Sequence, residues 1–274
     1  MSESFELRRP DEARACPVLV EIPHASTHVP ESLRDELDVP PDALWRDADL
    51  HVDALLADAP AVGASLLCAR HSRYVVDLNR APDDLGTVGG PSSMPRSGAR
   101  GVVWSTTSDG RPVLRRPLDE GLVRARVERF HAPYHRVLRE EIERLRDRWG
   151  WCVLLAAHSM PSVGRAGHAD AGVARADVVP GSRGRTSADA RVIDLVDAHF
   201  RAAGLVVRHD EPYRGGYTTA HYGRPERHVH AIQIELNRAL YMDERTGERR
   251  VVQFEWLAAL LCGLVAALGQ LRLR

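Results

Sequence analysis

Three almost continuous apolar runs, at residues 17–22, 151–157 and 229–236, constrain this chain more than any other feature. Each is short, rich in branched aliphatic residues and bounded by turn residues, which is the pattern of a buried strand. Each also ends on, or carries, an ionisable side chain. His24 follows the first run, His158 closes the second, and Glu235 lies within the third. A charged or metal-binding group at such a position is costly unless it has a partner.

Helical patterns separate the strands. One runs over about 42–57. A longer one, 119–149, is interrupted at Pro133, where a kink or break is expected because proline lacks the N–H a helix needs. Thr186 and Asp189 have capping-box spacing before a helix to about residue 203, and an apolar helix over 256–268 closes the chain. Further strands are expected at 64–69, 73–78, 177–179 and 205–208. This alternation predicts a three-layer α/β/α fold with a mixed, largely parallel sheet. Ligands in such sheets bind outside the carboxyl ends of the strands. If the three apolar strands are neighbours, His24, His158 and Glu235 converge on one crevice.

With 274 residues, no internal repeat and no separating linker, the chain reads as one domain. Residues 82–118 are rich in Gly, Pro and Ser. Within them two short strands flank Asp109-Gly110, a hairpin signal, and the segment is read as a hairpin-bearing lid. Glycine-rich loops follow at 162–176 and 212–223.

Composition excludes several classes. A net charge of −1 argues against nucleic-acid or membrane-surface binding. All 37 Lys-plus-Arg residues are arginine, so a P-loop, a Schiff-base lysine and a Ser-Lys hydrolase are ruled out. No G-x-S-x-G supports Ser159 as a nucleophile. The four cysteines contain no C-x-x-C, and three of them sit in apolar runs and read as buried thiols, which fits a reducing cytoplasm. The N-terminus is charged, without the apolar core of a signal peptide, and the 256–268 stretch is shorter than the roughly 18 residues of a membrane span. The expectation is a cytoplasmic protein with a small-molecule substrate and no nucleic-acid or membrane partner; its oligomeric state is open.

Two histidines and one carboxylate make a catalytic zinc site, with water in the fourth position. A second carboxylate then serves as base on that water. Asp47 and Asp49 both lie in the first helical region, and Asp49 is placed on a turn facing the crevice. The expected set is one Zn2+ per chain on His24, Asp49 and His158, with Glu235 catalytic. A lone histidine at a strand end is more often a satisfied polar group than a ligand; it is the combination at separate strand ends that points to a metal. Competing pairs are His28-x-x-Glu31, which has carboxypeptidase-type spacing, and His131-x-x-x-His135, whose helical spacing Pro133 interrupts.

These same segments resemble the N-formylglutamate amidohydrolase family. The resemblance is carried by Ile22-Pro23-His24 and by Asp47-Ala48-Asp49-Leu50-His51-Val52-Asp53. It continues through the stretch from Ser72 to Arg80, His131-Ala132-Pro133-Tyr134-His135 and His158-Ser159-Met160. It ends with the stretch from Pro212 to Thr219 and with Gln233-Ile234-Glu235-Leu236-Asn237-Arg238. The resemblance implies a fold like that of zinc exopeptidases and peptidoglycan amidases, and release of formate from N-formyl-L-glutamate in histidine degradation. It also implies metal binding by His24, an acidic residue after it and His158, with Glu235 catalytic.

A dicarboxylate substrate calls for arginine, whose fork binds carboxylates bidentately. Arg80 and Arg214 are the leading candidates and Arg73 a third, with Asn79 and Tyr217 adding hydrogen bonds. Oxyanion stabilisation is assigned to zinc together with one of these groups, or to His131 or His135. Two further readings remain: an amidase of the same fold acting on another N-acyl amino acid or a muramyl peptide, and a non-catalytic small-ligand-binding protein.

Overall fold

The computed structural model describes residues 4–86, 100–115, 119–166 and 168–273. Among these residues six strands form one sheet: β1 (Phe5–Arg8), β2 (Val18–Ile22), β3 (Ser65–Ala69), β4 (Cys152–Met160), β5 (Val178–Gly181) and β6 (Val229–Asn237). Their order is β1-β3-β2-β4-β6-β5. The central four strands are parallel, and β1 and β5 run antiparallel at the two edges. Every residue of β2, β4 and β6 is buried, as expected for strands covered on both faces by crossover helices.

The helices are α1 (Pro41–Arg46), α2 (Val52–Leu55), α3 (Glu120–Arg126), α4 (Ala132–Trp149), α5 (Ala190–Ala202), α6 (Tyr217–Tyr222) and α7 (Val251–Gly269). One core layer packs Val18, Val20, Ile22, Val153 and Leu155 of the sheet against α2, α5 and α7. The opposite layer packs Leu19, Leu154 and Ala231 against Tyr134, Leu138 and Leu145 of α4. The architecture is therefore α/β/α with a mixed sheet, as the alternation of elements predicts.

Several local expectations are corrected. The helix over 42–57 is broken: residues 47–51 form a turn, with His51 in the left-handed region at φ 69°. This break aims the side chains of Asp47 and Asp49 inward. Residues 73–78 form turns instead of a strand, because polar backbone and side-chain groups there bond to other segments, as when Asp77 N–H donates to Val102 O at 2.7 Å. The expected 205–208 strand makes only one bridge, Val207 to Val178. Asp189 caps α5 alone by accepting from Arg191 N–H, while the Thr186 hydroxyl turns to Arg183 O. β1 carries too weak a pattern to be seen in the sequence.

At Pro133 the long helix neither stops nor sharply breaks. A wide π-type turn over Val127–His131 joins α3 to α4. Pro133 withholds the N–H that would bond the carbonyl of residue 129, and a turn with an extra residue suits that gap. The last helix is longer than expected. Its 19 residues make it long and apolar enough to cross a membrane by length and composition, so length does not set it apart from a membrane span. Leu257, Leu261, Leu264 and Leu268 nevertheless lie in the core.

Of the expected lid, residues 87–99 and 116–118 lie outside the described residues. The hairpin signal appears as a tight turn, with Thr107 N–H bonded to Arg111 O and Gly110 at φ 85°. Its flanks are core: Val102, Val103, Trp104 and Val113 are buried. All four cysteines are free, but only Cys152 is fully buried.

One buried carboxylate, paired with two partly exposed arginines, ties α4 to the sheet. The Glu141 carboxylate, whose side chain is 0% exposed, accepts from Ser65 Oγ at 2.6 Å, Arg9 Nε at 2.9 Å and Arg144 at 2.7 Å. Burial alone would raise its pKa; hydrogen bonds from Arg144, Arg9 and Ser65 outweigh it and bring it from 4.5 down to about 2. A depressed carboxylate contributes stability that is complete above the unfolded-state pKa and is lost as pH falls through the folded one. Glu141→Gln is expected to cost about 2 kcal/mol at neutral pH. In thermal melts across an acid series, the gap between parent and variant should close between about pH 4.5 and 2; a gap that stays constant would remove Glu141 from the acid response.

Candidate active site

The winding of the sheet places the site. From β2 the chain crosses to β3 on one side and then returns to β4 on the other. The crevice at the carboxyl ends of β2 and β4 is therefore a topological switch point, the usual ligand position in open α/β sheets. His24 follows β2, and His158 lies near the end of β4. Glu235 of β6 is in register with His158, so both side chains project from the same face. Gln233 shares that face two residues earlier.

Asp49 reaches the crevice from the broken first helix, its N–H bonded to His24 O at 2.9 Å. Its Oδ2 is 3.0 Å from His158 Nδ1 and 3.6 Å from His24 Nδ1. Candidate ligand atoms of His24, Asp49 and His158 all lie within 4.8 Å of one another, and all three residues are buried. His24 Nδ1 is buried with no hydrogen-bond partner among the described residues. A buried lone pair directed at a carboxylate and a second imidazole is what a cation would satisfy. Two imidazoles and a carboxylate are also the donor set of catalytic zinc. The residues present therefore fit a zinc-type ion.

Asp77 orients this group. Its Oδ1 is 2.8 Å from His24 Nε2 and accepts from Asn79 N–H at 2.9 Å; its Oδ2 accepts from Arg73 at 2.8 Å and from Trp104 Nε1 at 2.9 Å. Burial would raise the pKa of Asp77, but Arg73 and His24 hold it well below the usual carboxylate range. An ionised Asp77 only accepts, so the Nε2 of His24 carries the proton and Nδ1 presents its lone pair. On the other side, Arg238 Nε donates to Ser159 Oγ at 3.0 Å, and its guanidinium reaches Ala48 O and the second oxygen of Asp49. Asp49 is also held well below the usual range: burial opposes this, but its hydrogen bond with His158 leads the effects that prevail.

Asp47 points elsewhere. It accepts from the Tyr74 hydroxyl, from the backbone and hydroxyl of Ser108, and from Arg165 at 2.8 Å. Those bonds lower its pKa against the effect of burial and leave it a structural tie between the first helix and the hairpin.

Above the His–Asp–His group opens a cavity of about 500 Å³. Glu235 lies in its floor, its Oε1 accepting from Gln233 Nε2 at 2.8 Å. Burial, reinforced by the charge of Asp49, pushes its pKa up to about 7. Arg80, Arg183 and Arg214 line the wall, with Tyr213 and Tyr217. The Arg214 guanidinium has no hydrogen-bond or ion-pair partner among the described residues. Arg183 donates to Gly215 O at 3.0 Å, and its turn is pinned by Asp210.

Two sequence assignments change. Arg73 lines the cavity, but its guanidinium is committed to Asp77 and Asp47 O and lies 4.2 Å over the Trp104 ring; it holds the site more than it meets a substrate. Asn79 is likewise taken up by the protein. Its Oδ1 accepts from Thr218 N–H at 3.0 Å, and its Nδ2 lies 3.3 Å from His158 Nε2 and 3.2 Å from Gln233 Oε1. His131 and His135 bond backbone carbonyls and do not line the cavity, so neither serves as an oxyanion donor. His28 and Glu31 also lie outside it; His28 faces the His71 ring. The sequence reading missed Asp77, Trp104, Arg183, Gln233 and the role of Arg238. Gln233 left a positional signal, as a second polar residue spaced by two from Glu235 within an apolar strand; Asp77 and Arg238 stand out only as members of the segments that carry the family resemblance.

Known proteins similar to this chain point to one family. The family model described as N-formylglutamate amidohydrolase matches residues 16–242. An N-formylglutamate deformylase of Pseudomonas aeruginosa is 35% identical over 236 residues, covering 84% of this chain and 83% of that protein. One from Pseudomonas putida is 33% identical over 231 residues, covering 83% and 82%. The crystal structure of an N-formylglutamate amidohydrolase from Ralstonia eutropha JMP134 superposes with a TM-score of 0.86, at 32% identity and 98% coverage of both chains.

The two aspartates can be separated experimentally. Asp49→Asn is expected to abolish stoichiometric zinc retention. Asp47→Asn should retain zinc while losing about 1–3 kcal/mol of stability, because it weakens a buried set of hydrogen bonds. Metal analysis of both purified variants alongside thermal melts checks this; zinc lost from the Asp47 variant and kept by the Asp49 variant would reverse the assignment.

Proposed function

The chain belongs to the N-formylglutamate amidohydrolase family, and from that premise we propose that it hydrolyses N-formyl-L-glutamate, or a closely similar N-acyl acidic amino acid, with a divalent metal held by His24, Asp49 and His158. The observation that carries this reading is the cavity itself. A metal-fitting group and a buried carboxylate form its floor, and arginines form its wall. The names of the Pseudomonas relatives support the formyl group and the glutamate; the arginines support an anionic substrate independently.

Zinc, the ion best suited to this donor set, would supply Lewis acidity that polarises the scissile carbonyl and makes water a stronger acid. The protein's own groups do the rest. Glu235 accepts a proton from the attacking water and delivers it to the departing amide nitrogen. A carbon–oxygen bond forms, the carbon–nitrogen bond breaks, and formate and the free amino acid leave. Burial suits Glu235 to this shuttle, since a carboxyl with a pKa raised to about 7 both takes and returns a proton near neutral pH. Gln233, donating to Glu235 Oε1, fixes which oxygen faces the substrate. Arg214 and Arg80 receive the substrate carboxylates, and Arg183 extends the cationic wall. Tyr217 closes one side of the cavity and limits the size of the acyl amino acid.

Glu235→Gln is expected to keep its metal while kcat falls by about 10²–10⁴-fold; turnover near the parent value would take Glu235 out of the reaction. Purified protein should carry close to one zinc per chain, and a His24→Ala/His158→Ala double variant should carry none; a double variant that still held zinc would place the metal elsewhere. Formate release from N-formyl-glutamate should exceed that from N-formyl-methionine by about 10-fold or more, because the neutral side chain forgoes a charge-assisted hydrogen bond to the cationic wall. Arg214→Ala should reduce that preference mainly through KM, and equal rates on the two substrates would reject recognition of a side-chain carboxylate.

A further inference from the structure

We propose that His131 and His135 form a clamp that positions the metal-binding group by gripping the two peptide carbonyls on either side of Asn79. This rests on the metal reading above and assigns a task to a histidine pair that takes no part in the chemistry.

The wide turn over Val127–His131 and the helix that follows set the pair side by side. Their i, i+4 spacing stacks the rings with centroids 4.1 Å apart. His131 Nε2 donates to Arg80 O at 3.0 Å, and His135 Nε2 donates to Leu78 O at 2.8 Å. A carbonyl oxygen only accepts, so both rings carry their proton on Nε2. His135 Nδ1 then accepts from the Tyr222 hydroxyl at 3.0 Å. Burial keeps both rings neutral by lowering their pKa values, His135 to about 3 with His131 as a second cause. Tyr134, between them in sequence, donates to the buried Glu21 carboxyl of β2 at 3.2 Å and so anchors the start of α4 to the sheet.

The gripped segment, residues 77–80, bonds to both candidate imidazole ligands. Asp77 fixes the proton of His24, and Asn79 N–H fixes Asp77. The Asn79 side chain meets His158, Gln233 and the Thr218 N–H of α6. It lies so close to Gly216 that a Cβ there would come within 2.4 Å of Asn79 Nδ2. A small rotation of the 77–80 segment would therefore move both imidazoles together. Groups that orient metal ligands typically change affinity by about 10–100-fold when lost.

The test compares His131→Phe and His135→Phe, which keep an aromatic ring without the donor, with His131→Gln and His135→Gln, which restore an N–H near the Nε2 position. Zinc affinity is read by competition with a chelator, and folding by cooperative thermal unfolding. Folded Phe variants should bind zinc about 10-fold or more weakly, and the Gln variants should recover to within about threefold of the parent. Parent-like affinity in a folded Phe variant, or equal loss in Phe and Gln variants, overturns the clamp. Imidazole 15N spectra of the unmodified protein supply an arm that needs no variant and no metal: both rings should be neutral with the proton on Nε2 at pH 7, and a proton on Nδ1 of either ring refutes the assignment. Absence of turnover on N-formyl-glutamate would reject the substrate reading and leave both arms intact. Absence of zinc binding would reject the metal reading, while the ring spectra would still decide whether the grip exists.

Discussion

The buried carboxylate of Asp77 is the constraint on which the rest of the site depends. Held away from water, it needs donors for both oxygens. It receives them from His24, Asn79, Arg73 and Trp104. These donors come from three separate parts of the chain: the loop after β2, the turns of residues 72–80 and the hairpin segment. The carboxylate stays charged because all three are in place, and because it is charged it sets the tautomer of His24. That tautomer leaves Nδ1 as a buried lone pair facing Asp49 and His158. A local electrostatic requirement thus ties the hairpin to the floor of the cavity. Residues 100–115 are accordingly packed, with Trp104 serving both as core and as donor.

A second requirement comes from close approach. At the carboxyl end of the sheet, β5, the loop before α6 and Asn79 meet with almost no space between them. A Cβ on Gly181 would fall within 2.5 Å of Gly215 N. The glycines of the 212–223 loop thus serve packing at least as much as ligand approach. This compression lets one amide, that of Asn79, join three elements, and it brings Arg183 and Arg214 to the cavity wall. His24, Asp49, His158 and Glu235 stand on strands and tight turns whose side chains are held by their neighbours, which favours preorganisation for chemistry.

Much of this was legible beforehand. The apolar runs identify β2, β4 and β6, since a strand buried on both faces must be apolar throughout and so stands out at any position. A histidine or glutamate in such a run stands out equally. The 73–78 segment reads as a strand because its apolar, β-branched composition, with Tyr74, Val75, Val76 and Leu78 all buried, mimics one. Its backbone makes tertiary bonds and no ladder. Likewise, the roles of Arg73 and Asn79 were assigned to a substrate because a polar group beside a crevice has the same sequence signature whether it faces a ligand or another side chain.

The sequence by itself determined the layer architecture, the identity of the three buried strands and the ionisable residues at their ends, because hydrophobic period and strand length are local properties. It also determined what the chain is not, through its lack of lysine and of phosphate-binding motifs. Only the tertiary structure separates the surroundings of Asp47 from those of Asp49, two residues apart on one broken helix. The difference lies in what each meets across the fold: Asp47 meets Tyr74, Ser108 and Arg165, which satisfy it, whereas Asp49 meets two imidazoles. Such partners are supplied by segments distant in the chain, and no periodicity within a segment encodes them.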